Sequence, residues 1–333
     1  MERAGRPVII MDNADCDCHE VGDQLPEKSF RTQVIRDALS QEIKRDDQFG
    51  ALVTFETKSL DPTDMLTYME LAHGKTYVVK LAAQLKQVEA TELTALASGN
   101  IETPISKGSR KAIAASIGAV IGAVDNVVNG IASRIFCNIR PPGHHACAGS
   151  AMGFCYVNNM AIAIQYYIVK RPGSKVVCFD WDNHHGNGLE EAFYKRADVK
   201  YISIHANWKH SYPAGSGNPK RKGAHNNILN ISLIEGSGHV AAIDAFDSQV
   251  MPAIIDFEPT VIFISCGFDA HELDPVGTLA YETKTYRVMT DKLVAFANES
   301  TEKPAIISML EGGYHPKVLR DASLVHVRAL AEI

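Results

Sequence analysis

The sequence predicts an α/β fold of three layers, α/β/α, around a mainly parallel central sheet. Three observations point there. Apolar, β-branched runs at residues 134–139, 175–179, 199–204, 260–265 and 305–310 are continuous rather than alternating, which is how strands buried on both faces read. Helical stretches at 159–169, 240–257 and 281–298 lie between several of them, as in parallel strands joined by crossover helices. A polar, glycine-bearing segment follows each run, at 140–153, 180–188, 205–217, 267–277 and 311–315. Open sheets of this kind bind ligands beyond the carboxyl ends of their strands, so five loops are expected to gather chemistry at one edge.

The other elements follow from the same patterns. Val-Ile-Ile-Met at residues 8–11 is a short first strand, broken by Asp12. The first hundred residues otherwise read as helices at 29–44, 62–72 and 80–97. Residues 107–128, rich in Ala, Ile and Val, read as a buried helix that stops at Asn129–Gly130. The chain has no repeat and no low-complexity tract, and residues 1–333 read as one catalytic domain.

Composition narrows the function classes. With 333 residues, 46% of them hydrophobic, the chain can bury a large core. A formal charge of −6 gives no electrostatic reason to expect direct nucleic-acid binding. No run of about 18 apolar residues is evident, so no membrane span is expected. The N-terminal segment is too short and too soon interrupted for a signal peptide. Of the seven cysteines, Cys137, Cys178 and Cys266 sit in apolar runs and read as reduced thiols of an intracellular protein, cytoplasmic or nuclear. Cys16, Cys18 and His19 lack a matching second half and read as a polar loop. Lys220-Arg221-Lys222 reads as a solvated loop, not an import signal. Nothing in the sequence sets an oligomeric state.

The segment from Asp180 to Gly188 reads Asp-Trp-Asp-Asn-His-His-Gly-Asn-Gly. Asp180, Asp182 and His184 share parity along an extended chain and face one way. Catalytic zinc requires three protein ligands and an open position; Asp182 and His184 supply two, and Asp269, in a small-residue loop after another strand, is the best third. Asp180 suits a place behind an active-site histidine, fixing its tautomer, and Asn187 could hold the other one. His144 and His145 end a Pro/Gly-stiffened loop, where one imidazole can accept a proton from water while its neighbour stabilises developing charge. Tyr314 follows Gly312 and Gly313, which let the backbone approach a ligand, and its phenol could polarise a carbonyl.

Taken together, these stretches resemble the zinc-dependent histone deacetylase family, including its class II members and bacterial deacetylase-like amidohydrolases, on an arginase-like fold. The similarity runs through residues 140–145, 153–159, 180–188, 212–217, 267–275 and 310–314, with weaker echoes at Glu27, Arg31, His73 and Glu102-Thr103-Pro104. The resemblance implies that Asp182, His184 and Asp269 hold one zinc ion, although an Asp/His/Asp set also admits iron(II). His144 and His145 match the paired histidines, the second as general base and acid. Asp180 matches the acid behind the first histidine, Asn187 the class II partner of the second, and Tyr314 the carbonyl-polarising tyrosine. Phe154 matches one wall of an acyl-lysine tunnel. Tyr212 replaces the usual phenylalanine of the other wall, Gly153 offers a carbonyl to the substrate amide, and Glu102 stands for the rim aspartate. Structural potassium is implied at two positions. One comprises Asp180, Asp182, His184, Ser203 and Ile204; the other comprises Phe193, Arg196 and Val199.

The implied reaction is hydrolysis of the ε-amide of acyl-lysine, most plainly acetyl, in a protein or peptide, with histones among the candidates. Val276 stands where polyamine-selective relatives can carry an acid, which favours acetyl-lysine. Three rivals stand beside this reading: an acetylpolyamine or small-amide amidohydrolase, a two-manganese ureohydrolase, and a non-catalytic acyl-lysine scaffold.

Overall fold

The computed structural model describes residues 5–61, 63–91 and 95–333. In chain order, β1 (Val8–Asp12) passes through a 3-10 turn (Ala14–Cys18) into α1 (Phe30–Arg45), α2 (Asp47–Leu52) and β2 (Val53–Glu56). α3 (Met65–Met69) and α4 (Lys75–Thr91) precede a two-stranded antiparallel ribbon of β3 (Ala95–Leu96) and β4 (Pro104–Ile105). Then come α5 (Ser109–Val128), β5 (Arg134–Asn138), α6 (Asn159–Lys170), β6 (Val176–Asp180), α7 (Asn187–Phe193), β7 (Val199–His205) and β8 (Ile228–Ser232). α8 (His239–Ala245) and α9 (Met251–Phe257) lead to β9 (Val261–Cys266), α10 (Thr283–Glu299), β10 (Ala305–Leu310) and α11 (Pro316–Leu330).

Eight strands form one sheet in the order β2-β1-β5-β10-β9-β6-β7-β8, and every neighbouring pair is parallel. The final strand therefore lies in the middle of the sheet, between β5 and β9. Residues alternate between faces, as pleating requires. Ile10, Phe136, Phe179, Ile202, Ile264 and Ile306 pack with Ile35 and Leu39 of α1 and with residues of α10 and α11. Ile9, Ile135, Cys137, Cys178, Phe263 and Ile307 pack on the other side with Val120 and Val124 of α5 and Ala163 of α6. This is the expected three-layer α/β arrangement. Register aligns the carboxyl ends: Asp180 lies opposite both Ser203 and Ser265, and Leu310 opposite Cys266. The loops after these strands therefore leave from one edge.

Several elements differ from expectation. β2 and β8 are edge strands, one only four residues long and the other interrupted by Asn230, so neither shows a continuous apolar run. α4 begins earlier than expected because Tyr77 and Val78 start the buried stripe that Leu81, Leu85 and Val88 continue. The expected starting residue Pro62 and the stretch 92–94 lie outside the described residues. Residues 240–257 form two helices joined by a π turn at Phe246–Val250. α5 is long and apolar enough by length and mean hydropathy to cross a membrane, although Arg110, Lys111 and Asp125 leave it without a run of 18 apolar residues; here it is the core helix between two packing clusters. The Cys16–His19 segment is not a polar loop either. Cys16 and His19 are buried, and His19 Nδ1 lies 2.8 Å from Ser109 Oγ.

Candidate active site

Beyond β6 the chain does not stay extended as expected but bends through Asp182, Asn183 and His184. Asp182 N donates to Asp180 Oδ1 and His184 N to Asp182 Oδ1, and alternate side chains still part company. Asp180, Asp182 and His184 turn inward. Asn183 turns outward, where its Oδ1 accepts from Thr278 N (2.9 Å) and Leu279 N (3.1 Å) and so pins the loop that follows Asp269. The Asn183 N–H in turn donates to Asp269 Oδ1 at 2.9 Å. Through these bonds two loops 86 residues apart in sequence meet, and candidate ligand atoms of Asp182, His184 and Asp269 come within 4.8 Å of one another. His184 Nδ1 lies 2.9 Å from Asp269 Oδ2 and 3.2 Å from Asp182 Oδ1.

The donor set fits a divalent cation. Both carboxylates are fully buried, and burial together with the charge of Asp182 disfavours ionisation of Asp269. A positive ion between them removes that conflict. Space is kept for it by Gly312, where a Cβ would collide with Asp269 Oδ2 and come within 2.7 Å of Asp182 Oδ2. The Gly312 N–H instead donates to Asp182 Oδ2 at 2.8 Å.

The histidine pair has unequal surroundings. His144 Nδ1 faces Asp180 Oδ2 at 3.2 Å. Burial opposes its charge, but Asp182 and Asp180 outweigh that and push it up to about 10. His145 Nδ1 faces Asn187 Oδ1 at 2.8 Å. Burial, with His144 and His184 nearby, holds it well below the usual histidine range. The Asn187 amide is oriented by its Nδ2, which donates to His145 O (3.3 Å) and Cys147 Sγ (3.2 Å). Its oxygen must therefore accept from the His145 ring, which places the proton on Nδ1 and a lone pair on Nε2.

A cavity of about 290 Å³ connects these groups to the surface. Its lining includes Glu102, His144, His145, Gly153, Phe154, His184, Tyr212, Val276, Gly312 and Tyr314. Every substrate-contact residue expected from the sequence is thus in one place. Gly153 (φ +55°) and Phe154 (φ +67°) both take the left-handed conformation; a Cβ on Gly153 would meet the His145 ring at 2.5 Å and Tyr212 at 2.9 Å. The Phe154 and Tyr314 rings meet edge to face at 5.9 Å, as do His145 and Tyr212 at 5.1 Å. Burial keeps the Tyr314 phenol well above its ordinary pKa, so it remains a proton donor. Asp180 and Asn187 stand behind the histidines. Ser203 and Ile204 lie on β7 beside the end of β6, and Phe193, Arg196 and Val199 lie where α7 runs towards β7, outside the cavity lining.

A histone deacetylase domain profile matches residues 25–330. The chain belongs to the histone deacetylase family. A histone deacetylase-like amidohydrolase of Pseudomonas aeruginosa is 33% identical over 241 residues, 70% of this chain and 61% of that protein. The crystal structure of the HDA15 HD domain superposes with a TM-score of 0.85 at 26% identity, covering 98% of this chain and 88% of that one. An acetylpolyamine aminohydrolase from Burkholderia pseudomallei shares the fold with a TM-score of 0.82 at 23% identity, covering 97% of this chain and 98% of that one. Family membership makes the chain a hydrolase of the deacetylase and amidohydrolase type, and the family's dependence on zinc agrees with the buried Asp-His-Asp cluster.

Sequence reasoning left parts of this deacetylase-family site unassigned. Pro142, His210, Ser211 and Thr278 also line the cavity. Glu311 accepts from Gly143 N (2.7 Å) and His144 N (3.1 Å) and so fixes the histidine loop to the last strand. Burial pushes Glu311 up to about 7 although His144 favours its charge. Arg31 donates to Gly313 O (2.6 Å) and Glu311 O, and its guanidinium stands 4.8 Å from the centre of the Tyr314 ring. Arg31 and Arg140 both pair with Glu27 at 2.7 Å, and all three side chains are fully buried. The echoes at Glu27 and Arg31, with Arg140 opening the matching stretch 140–145, were the sequence signals for this network.

Proposed function

We propose that this chain hydrolyses the side-chain amide of acetylated lysine in a protein or peptide, using one zinc ion held by Asp182, His184 and Asp269. The observation that carries the reading is a single cavity lined by His184 of the Asp-His-Asp cluster, by the histidine pair and by Tyr314, between the rings of Phe154 and Tyr212. Zinc bound there would polarise an amide carbonyl and lower the pKa of water towards about 7.

The protein groups perform the proton transfers. His145, neutral and with its Nε2 lone pair free, accepts the proton of the attacking water and later delivers it to the leaving amine, giving acetate and lysine. His144, paired with Asp180, stays positive and steadies the charge that develops beside it. Tyr314 donates its phenolic hydrogen to the carbonyl oxygen as that oxygen becomes negative. The Gly153 carbonyl accepts the substrate amide hydrogen. Phe154 and Tyr212 enclose the neutral alkyl stem, which suits an acylated lysine better than a charged one.

A single ion is supported by the fate of the neighbouring side chains. Asn183 is committed to Thr278 and Leu279, His185 to Ser216 (2.7 Å), and Asn187 to His145. None of the three offers the carboxylate that bridging a second metal would need. A second substrate reading rests on Glu102, a carboxylate at the cavity that could attract the far ammonium of an acetylpolyamine. Rates on an acetyl-lysine peptide and on acetylputrescine, each with a chelator control, separate the two. Turnover of the peptide that is abolished by chelator is the expected result. Turnover of acetylputrescine alone transfers the site to the second reading, and no turnover of either leaves a scaffold.

A further inference from the structure

The second potassium position expected from the family resemblance calls for a cation among the main-chain oxygens of Phe193, Arg196 and Val199. This chain directs a side chain of its own at that place. Asn227 is buried, and its Nδ2 donates to Phe193 O at 2.8 Å and to Val199 O at 3.1 Å. Phe193 O also accepts from Arg196 N at 3.0 Å, so both of its lone pairs are used. The amide cannot be reversed without penalty. Asn227 Oδ1 accepts from His225 N at 3.3 Å, and a flip would set that oxygen against two carbonyl oxygens. The residue is also held by its own carbonyl, which accepts from Tyr201 N at 2.9 Å.

The first expected position is different. Among the described residues, no hydrogen bond reaches the main-chain oxygens of Asp182 or His184, and those atoms retain lone pairs for a cation.

We propose that the amide nitrogen of Asn227 replaces the second potassium ion, so that the chain has at most one structural monovalent site, the one beside the active site. Two polarised N–H bonds supply to a pair of carbonyls the positive potential that a cation supplies to a ring of them, without an ion that can dissociate. The junction of α7, β7 and β8 is then independent of salt composition. The inference concerns this junction alone and stands whether or not the hydrolase reading of the cavity holds.

Thallium(I), a potassium mimic with strong anomalous scattering, tests it on crystals of the unmodified protein. The expected map has no thallium peak bonded to Phe193 O and Val199 O, whatever is found beside Asp182 and His184. A peak there, with the Asn227 side chain displaced, overturns the proposal. In solution, Asn227→Ala and Asn227→Asp remove the donors. Each should gain a rise in Tm in potassium chloride over N-methylglucamine chloride, at equal ionic strength, beyond any rise in the wild type. A folded variant with no added potassium response counts against the proposal, and if neither variant folds the thallium map decides alone.

Discussion

Two clusters of buried charge lie close to Tyr314, and they are balanced in opposite ways. Arg31 and Arg140 both donate to Glu27 Oε1, which gives the buried carboxylate two opposite charges. Each guanidinium contacts the carboxylate at 2.7 Å, and the remaining N–H groups go to the main-chain oxygens of Gly313, Glu311, Cys16, His19 and Glu27. Burial alone would raise Glu27, but Arg140 and Arg31 pull it below the ordinary value. Asp182 and Asp269 are in conflict instead, two buried carboxylates facing one another with a single imidazole between them. Charge that is satisfied within the protein serves the fold. Charge left in conflict marks the place where a ligand is wanted.

Four substitutions separate these roles. The largest effect is expected from Asp269→Asn, which removes one of the two opposed carboxylates. Hydrolysis should fall to background and metal content, measured by elemental analysis, should drop well below one per chain. The metal-free protein should nevertheless melt no lower than wild type. A clear fall in its Tm would place Asp269 among the structural charges. Glu27→Gln should do the reverse: breaking a buried ion pair typically costs about 3–5 kcal/mol, read as a lower denaturant midpoint, while kcat of the protein that remains folded changes little.

The same carboxylate sets an acid limit. Its folded pKa lies below the ordinary glutamate value, so its contribution is complete above that value and is lost as pH falls through the folded pKa. Wild-type stability should decline there, and Glu27→Gln should lack that part of the slope.

Tyr314→Phe keeps the ring under Arg31 and removes only the donor. Loss of one oxyanion donor typically costs about 3–4 kcal/mol, so kcat should drop about a hundredfold or more with Tm nearly unchanged. A near wild-type rate removes the tyrosine from the mechanism. The smallest effect is expected from Asn187→Asp. A carboxylate on Nδ1 favours the imidazolium form of His145, so the acid limb of the kcat/KM profile should move up by roughly one pH unit. No movement would mean that another group accepts the proton.

Legibility in the sequence followed the same division. The candidate ligands and the histidine pair could be placed together because each lies in a loop that follows an apolar strand, and a parallel sheet sends all such loops to one edge. Asp180, Asp182 and His184 could be sorted by parity alone. The Glu27 network could not be read that way, because Arg140 lies 113 residues away and hydropathy places arginine outside. α11 escaped because no strand follows it, and α7 because it has only seven residues and begins inside the glycine-bearing segment 180–188. Asn227 escaped because an asparagine in a glycine-rich loop ordinarily marks a turn; its value here depends on two carbonyls from other elements.

The position of β10 bears on biosynthesis. Without residues 305–310 the strand order falls into two groups, β2-β1-β5 and β9-β6-β7-β8, and a sheet formed by either before β10 is made would carry an open hydrogen-bonding edge of the kind that invites aggregation. Translation that stops short of this strand leaves a nascent chain with both candidate catalytic histidines and all three candidate metal ligands already made, and without the strand that would join the slabs.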